Sequence, residues 1–478
     1  MAQEIIGRKQ EIKQLSLCSS SGKAEFVAVY GRRRVGKTFL IRQYFHDDFD
    51  FYITGLYKGT MKDQLRNFAE QLQSKSKGFV AIPHDWHEAF AMLRTYLEGL
   101  KKKTATIFFD ELPWLDTPRS KFVQELDYFW NSWGAQQDYL KFYVCGSAAT
   151  WIIKNLIGAK GGLHNRLTCS MRLLPFTLAE TEQYLRSKQI EWERYTIIEC
   201  YAIFGGIPYY LSQLHEDESL TQNVDRLLFS MTGMLKDEYG FVFRSLFEDY
   251  PKYYKVVELL AKKRRGMSRE EIMTALKLPK GGALSDALVN LQNCDFIRKY
   301  HSFGKKQRDA IYQLTDLFTL FYHTFMANEA GGDEHAWSNM LDNPKRVAWM
   351  GYAFEQVCML HIPQIKKALG ISGMLTEASS WMGSDGVEKG QIDLVIDRRD
   401  RVVNLCEMKF STGPFDITKA YSEKLRNRMS LFRSVTKTTK SLANTFVTTY
   451  GVKNGKYSGM INSLSLIHIS EPTRLGMI

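Results

Sequence analysis

The run Gly31-Arg32-Arg33-Arg34-Val35-Gly36-Lys37-Thr38 constrains this chain more than any other feature. A glycine, four residues, then Gly-Lys-Thr is the spacing of a phosphate-binding loop. Residues 26–30, "FVAVY", read as a buried strand, and residues 38–45, "TFLIRQYF", as a helix. A strand before and a helix after are the context the pattern requires, and they commit this part of the chain to an α/β fold with a parallel sheet. The residue types follow from the chemistry. Gly31 and Gly36 let the backbone wrap tightly enough for the N–H groups of Arg32, Arg33, Arg34 and Val35 to point at phosphate oxygens, and the helix start adds its positive end. Lys37 supplies a point charge and the Thr38 hydroxyl a ligand for Mg²⁺.

The apolar run 105–109 ends in Asp110-Glu111, the arrangement of a strand delivering carboxylates to a sheet edge. Asp110 is expected to hold Mg²⁺ through water, and Glu111 to orient or deprotonate the attacking water. Another buried strand, "YLKFYVCGSAATWI", presents Ser147, which reads equally as a contact to the γ-phosphate or lytic water and as a helix cap. Arg166 lies in a glycine-flanked loop and reads either as an arginine finger, acting in cis or toward a second copy of the chain, or as a structural ion pair.

At 478 residues the chain exceeds one core and should hold three or four domains. Its 44% hydrophobic and 24% charged content is that of a soluble globular protein. No stretch reaches the ~18 uninterrupted apolar residues of a membrane span, and the N-terminus is a charged helical pattern rather than a leader, so a cytoplasmic protein without a membrane partner is expected. Seven cysteines are scattered without a C-x-x-C pair, which argues against a disulfide framework or a zinc site. The net charge of +12 is uneven: residues 251–310 hold 14 Lys and Arg against 6 Asp and Glu. Such a concentration points to a polyanion, nucleic acid and DNA first.

In order along the chain, "GRRRVGKT", "FFDELPWL", "CGSAATWI", "RLLPFTLAE" and "GGIPYYL" resemble the archaeal-type ATPases, a branch of the signal-transducing P-loop ATPases related to AAA+ proteins. The resemblance implies ATP as the ligand. It also implies that Gly7, Arg8 and Glu11 lie near the adenine, and that Gly206 and Pro208 sit in a helical lid against the nucleotide. The expected boundaries are 1–175 for the P-loop ATPase core and 176–245 for the lid.

Residues 253–317 read as three short amphipathic helices and a hairpin around Gly304-Lys305-Lys306, a winged helix expected over 250–325. On DNA, the helix at 282–293 would enter the major groove with Lys305, Lys306 and Arg308 on phosphates, although that helix is poor in basic residues. Residues 340–463 form a further expected domain, centred on "GQIDLVIDRRDRVVNLCEMKFS". Alternation on both sides of a turn at Asp400 predicts a β-hairpin with Asp393 opposite Glu407 and Lys409 two residues further along the same face. Asp393 and Glu407 would hold Mg²⁺, with Mn²⁺ as a substitute, and Lys409 would position a water. The tripeptide Glu-x-Lys means little alone, since it recurs as Glu11-Ile12-Lys13 in a helix. With the opposed Asp393 the site resembles the PD-(D/E)XK nucleases, in the form appended to archaeal-type ATPases. That resemblance adds Glu355 to the metal site and leaves Lys424 and Arg426 for substrate phosphates. Residues 464–478 resemble translated adapter sequence and are expected to be a non-native tail. The function expected is an ATPase switch controlling a metal-dependent nuclease-like domain. A scaffold with a silent nuclease fold and a loader of nucleoprotein complexes are the alternatives.

Overall fold

The computed structural model of the chain describes residues 4–76, 78–158, 166–247, 249–304, 310–327 and 332–467. The chain divides into two compact units, Met1–Pro175 and Phe176–Ile478.

The first unit is built on five parallel strands: β1 (Glu25–Tyr30), β2 (Phe51–Thr54), β3 (Ala105–Asp110), β4 (Leu140–Gly146) and β5 (Cys169–Arg172), in the order β2-β3-β4-β1-β5. Every residue of β3 and β4 is buried. That is why these strands read as continuous apolar runs: a parallel sheet is covered on both faces by its crossover segments. Phe26 and Phe142 stack at 4.8 Å, and Trp130 and Phe109 lean on them. Because β4 lies between β1 and β3, the carboxyl ends of all three open on one sheet edge, the place where open α/β sheets bind ligands.

The second unit starts with helices Leu178–Ser187, Arg194–Phe204, Pro208–Leu211, Leu220–Val224 and Glu238–Leu246. Helices Tyr250–Ala261, Arg269–Ala275 and Ala283–Asn293 follow, with a small antiparallel sheet of β6 (Met267–Ser268), β7 (Ile297–Tyr300) and β8 (Ile311–Leu314) ordered β6-β8-β7. Ser268 and Glu271 close a reciprocal capping box that starts the middle helix. Helix Ala283–Asn293 buries Leu284, Ala287, Leu288 and Leu291, the face its spacing predicts, and leaves Asp286 and Val289 exposed. Lys305, Lys306 and Arg308 lie outside the described residues.

Helix Pro344–Leu360 then leads into a mixed sheet of β9 (Thr376–Ser384), β10 (Lys389–Arg398), β11 (Val402–Lys409), β12 (Ser441–Thr448) and β13 (Ser463–Leu466), ordered β13-β12-β11-β10-β9. β9, β10 and β11 are antiparallel, and helix Lys419–Thr436 carries the chain across to β12, parallel to β11. The β10–β11 register runs from Leu394 opposite Cys406 to Asp397 opposite Val403, so Asp393 and Glu407 lie just past its last pair. On its other side β10 bulges against β9 between Ile392 and Val395, which turns Asp393 out of the regular alternation. Residues 464–466, assigned from sequence to a non-native tail, pair with β12 as part of β13, while 468–478 lie outside the described residues. Ladder bonds are made by backbone groups, so an open strand edge accepts a segment of almost any composition.

Just after β7, residues 302 and 303 are tied to β9. Ser302 bridges Ser380 of β9, Phe303 N–H donates to Ser380 O at 2.7 Å, and the Phe303 ring meets Phe432 at 5.1 Å beside Trp381 and Ile392. Phe303→Ala should therefore destabilise the second unit by about 1–3 kcal/mol, measured as a lower denaturant midpoint. An unchanged midpoint would show that this contact is not structural.

Candidate functional site

The loop between β1 and helix Lys37–Tyr44 owes its shape to its glycines. Gly31 has φ 145°, and a Cβ there would lie 2.2 Å from the Leu173 carbonyl oxygen; Gly36 has φ 88° immediately before the helix. Neither position admits another residue without strain. Arg34 also takes a left-handed φ of 70°, Val35 is buried, and Arg33 lies close enough to Lys37 to act on its charge. Arg8, 5% exposed, donates to Leu174 O at 2.7 Å and Val35 O at 3.2 Å, so the segment preceding the core braces the loop.

Lys37 is buried, with its ammonium bonded to the Gly31 and Arg32 carbonyls at 3.2 and 2.9 Å. Burial pulls its pKa below the ordinary lysine value, against the opposing pull of Glu111 and Asp110. From the tip of β3, Asp110 accepts from the Thr38 hydroxyl at 2.9 Å, the Cys145 thiol at 2.6 Å and the Glu111 N–H at 3.0 Å, all on Oδ1. Burial and the adjacent carboxylate raise the Cys145 pKa, which keeps its thiol protonated as a donor. Glu111 sits at φ 46°, ψ 48°, a conformation costly for a side-chain-bearing residue and concentrated at functional sites. Its Oε2 accepts from both the N–H and the hydroxyl of Ser147, at 3.0 and 2.9 Å.

Ser147 thus holds a carboxylate rather than capping a helix; the following helix has Ala148 as its cap residue, with no side-chain capping bond. Arg166 is exposed, and its charge acts on Asp127, whose carboxyl burial raises and Arg166 lowers. Pro208 opens helix Pro208–Leu211 in the second unit. The Thr38 hydroxyl and Asp110 carboxylate meet at 2.9 Å and would hold a hard cation, and Lys37 stands within the glycine-shaped loop, so these residues fit Mg²⁺ and a polyphosphate.

Residues 5–214 match a family described as an ATPase domain predominantly from Archaea. This stretch is an archaeal-type ATPase domain. An uncharacterized protein of Methanocaldococcus jannaschii is 23% identical over 431 residues, 88% of this chain and 91% of that one. Among solved structures, the chain is similar to a Walker-type ATPase of Pyrococcus abyssi at 18% identity and TM-score 0.48, covering 67% of this chain and 96% of that one. It is also similar to the ORC2 protein of Aeropyrum pernix at 13% identity and TM-score 0.42, covering 71% and 96%. No helix among the described residues is long and apolar enough to cross a membrane.

Beyond the ATPase domain, the expected acidic site is only partly assembled. Glu355, on helix Pro344–Leu360, and Asp393 line one cavity of about 420 Å³. Asp393 accepts from Gln391 Nε2 at 2.8 Å. Burial and the Asp393 charge push the Glu355 carboxyl up to about 8. Glu407 does not join them as a third ligand. Lys409 meets its Oε1 at 2.8 Å, the Tyr421 hydroxyl donates to the same oxygen, and Arg428 donates to Oε2. Among the described residues no three acidic, His or Cys side chains gather as a metal site. Asp393 and Glu355 alone are an oxygen pair suited to a hard divalent ion. Sequence reasoning named the exposed Lys424 and Arg426 on helix Lys419–Thr436 but missed Tyr421 and Arg428. These lie seven residues apart on one face, a spacing that carried the signal.

Burial alone would raise the Glu407 carboxyl, but Arg428 and Lys409 outweigh it and hold it at about 2. A depressed folded value gives stability that is present above the unfolded carboxylate pKa and lost as pH falls through about 2. Glu407 should contribute on the order of 3 kcal/mol between pH 5 and pH 2. Acid-unfolding curves of Glu407→Gln should lose that share of the pH dependence and show lower stability at pH 7, since Arg428 is left buried without its anion. Curves parallel to the wild type would disprove the pairing.

Proposed function

We propose that the protein is an ATP-hydrolysing switch that governs a nucleic-acid-processing site in its second unit, acting on DNA. The observation that carries the first half is Glu111. Its carboxylate is fixed through one oxygen by two donors from Ser147, at a sheet edge shared with Lys37, Thr38 and Asp110. When bound, Mg²⁺-ATP supplies a γ-phosphoryl group whose transfer to water releases the energy. Lys37 and the loop N–H groups bind and orient the phosphates, and Thr38 and Asp110 hold the cation's place. Glu111 Oε1 is left to orient a water and accept its proton, a role that requires the fixed geometry Ser147 provides. In the second unit, the concentrated positive charge of residues 251–310 and the Glu355–Asp393 pair support a polyanion site that takes Mg²⁺ or Mn²⁺.

One observation favours a second reading. Glu407 and Lys409 are closed on each other and on Arg428, which supports a scaffold in which the nuclease-like domain binds without cutting. Plasmid incubated with Mg²⁺ or Mn²⁺, with and without ATP, separates the two. Cleavage lost in Asp393→Asn supports the first, and nucleotide-dependent binding without cleavage supports the second.

For the ATPase site, Glu111→Gln should lower turnover by about 100-fold or more while nucleotide affinity stays within about 3-fold, and Lys37→Ala should lose affinity as well. Ser147→Ala removes one of the two bonds on Glu111 and should lower turnover by about tenfold, the equivalent of ~1.4 kcal/mol. Steady-state ATP turnover with parallel nucleotide titration checks all three. Wild-type turnover in Glu111→Gln would remove Glu111 from the mechanism.

A further inference from the structure

The cavity that holds Glu355 and Asp393 has a second charged wall. Arg264, just after helix Tyr250–Ala261, and Arg298, on β7, line it from the basic module, while the two acids come from helix Pro344–Leu360 and β10. The opposite charges share one space of about 420 Å³ without closing on each other: among the described residues neither arginine makes an ion pair with either acid. Two guanidinium groups and the Glu355–Asp393 pair lining one open cavity leave room for a group that is anionic toward the arginines and is approached by a cation from the acids. A phosphodiester has that chemistry.

Both guanidinium groups are held in place without being consumed. Gln313 Nε2 and the Tyr352 hydroxyl, the latter at 3.2 Å, donate to the backbone carbonyl of Arg264, which pins the main chain; its guanidinium lies over the Tyr352 ring at 5.0 Å. Stacking on an aromatic face orients the planar fork and leaves its N–H groups for an anion. Arg298 uses Nε and Nη2 on the single oxygen Oε1 of Gln313, and lies over Tyr300 at 5.3 Å. Its Nη1 is engaged by neither bond. Burial lowers the Arg298 pKa, the sign of a cation whose desolvation is incompletely offset by its neighbours. The same lining holds Gln356, 2% exposed, whose Oε1 has no hydrogen-bond partner among the described residues. A buried acceptor without a partner marks a place where a donor is missing, which a nucleoside can supply and a phosphodiester cannot.

We infer that Arg264 and Arg298 are phosphate anchors, and that the cavity takes one phosphodiester group of a nucleic-acid strand. The inference rests on the nucleic-acid reading of the second unit. The cavity volume lies within the range of small-ligand pockets and suits one unstacked nucleotide, not a duplex. The arginines belong to the basic module and the acids to the following domain, so each part supplies half of the site.

The test uses the full chain and a labelled short single-stranded oligodeoxynucleotide, read by fluorescence anisotropy in EDTA across a salt series. Arg264→Gln and Arg298→Gln should each weaken binding about 5- to 10-fold and lower the slope of log affinity against log salt by about 1, the signature of one lost phosphate contact. Arg264→Lys should restore the slope but only part of the affinity, because it keeps the charge and loses the fork. Arg298→Gln also gives up its bonds to Gln313, so thermal melts accompany it. If it unfolds, Arg264→Gln, whose backbone bonds survive, carries the result. Wild-type binding with unchanged affinity and slope in Arg264→Gln would overturn the anchor assignment while leaving the nucleic-acid reading intact. No wild-type binding at low salt would overturn that reading and the inference with it. Displacement of the strand by inorganic phosphate as effectively as by unlabelled strand would make this a free-phosphate site and also overturn the proposal.

Discussion

A cation buried at the edge of a parallel sheet is the constraint on which the first unit depends. Lys37 has lost most of its water, and its loop carbonyls, Glu111 and Asp110 offset part of that loss. The carboxylates come from the tip of β3, more than seventy positions along the chain, as the Thr38–Asp110 separation of 72 shows. They reach the loop because β4 separates β3 from β1 by a single strand, and the apolar runs of all three hold them in that order. If the β3–β4 packing failed, a desolvated ammonium would remain with nothing to balance it, a loss of several kcal/mol. The apolar core and the charged site therefore stand or fall together.

The second unit shows how environment separates side chains of one chemical type. Glu407 and Glu355 are both largely removed from water, yet one carboxyl is held at about 2 and the other is raised to about 8. The difference lies in partners. Arg428, Lys409 and Tyr421 close on Glu407, whereas Glu355 faces the like charge of Asp393. Groups pushed in opposite directions sit in different surroundings: Glu407 pairs with Lys409 and with Tyr421 and Arg428 of helix Lys419–Thr436, whereas Glu355 and Asp393 line an open cavity.

The two sites share a design. Each fixes the responding group through a neighbour, Ser147 on Glu111 in one and Tyr352 under Arg264 in the other. Preorganised groups act more strongly on a phosphate than mobile ones, because little reorganisation is needed when charge develops. Nucleotide turnover and the polyanion binding proposed for the cavity would both be phosphate chemistry, met with different tools: a glycine-shaped loop with a buried lysine in the ATPase domain, guanidinium forks in the cavity.

Local pattern in the sequence determined the phosphate loop, the strand ending in Asp110-Glu111, the buried face of helix Ala283–Asn293 and the hairpin of β10 and β11. Each follows from a short-range period or a turn, and these are properties of consecutive residues. The partners of those residues were not legible in the same way. That Ser147 would lock Glu111, that the Cys145 thiol would serve Asp110, that Arg428 would close on Glu407, and that Phe303 would tie the segment just after β7 to β9 are meetings between segments far apart in the chain. Only the tertiary structure decided them. A side chain's partner is set by which elements pack together and at what register, and many packings satisfy the same local periodicity.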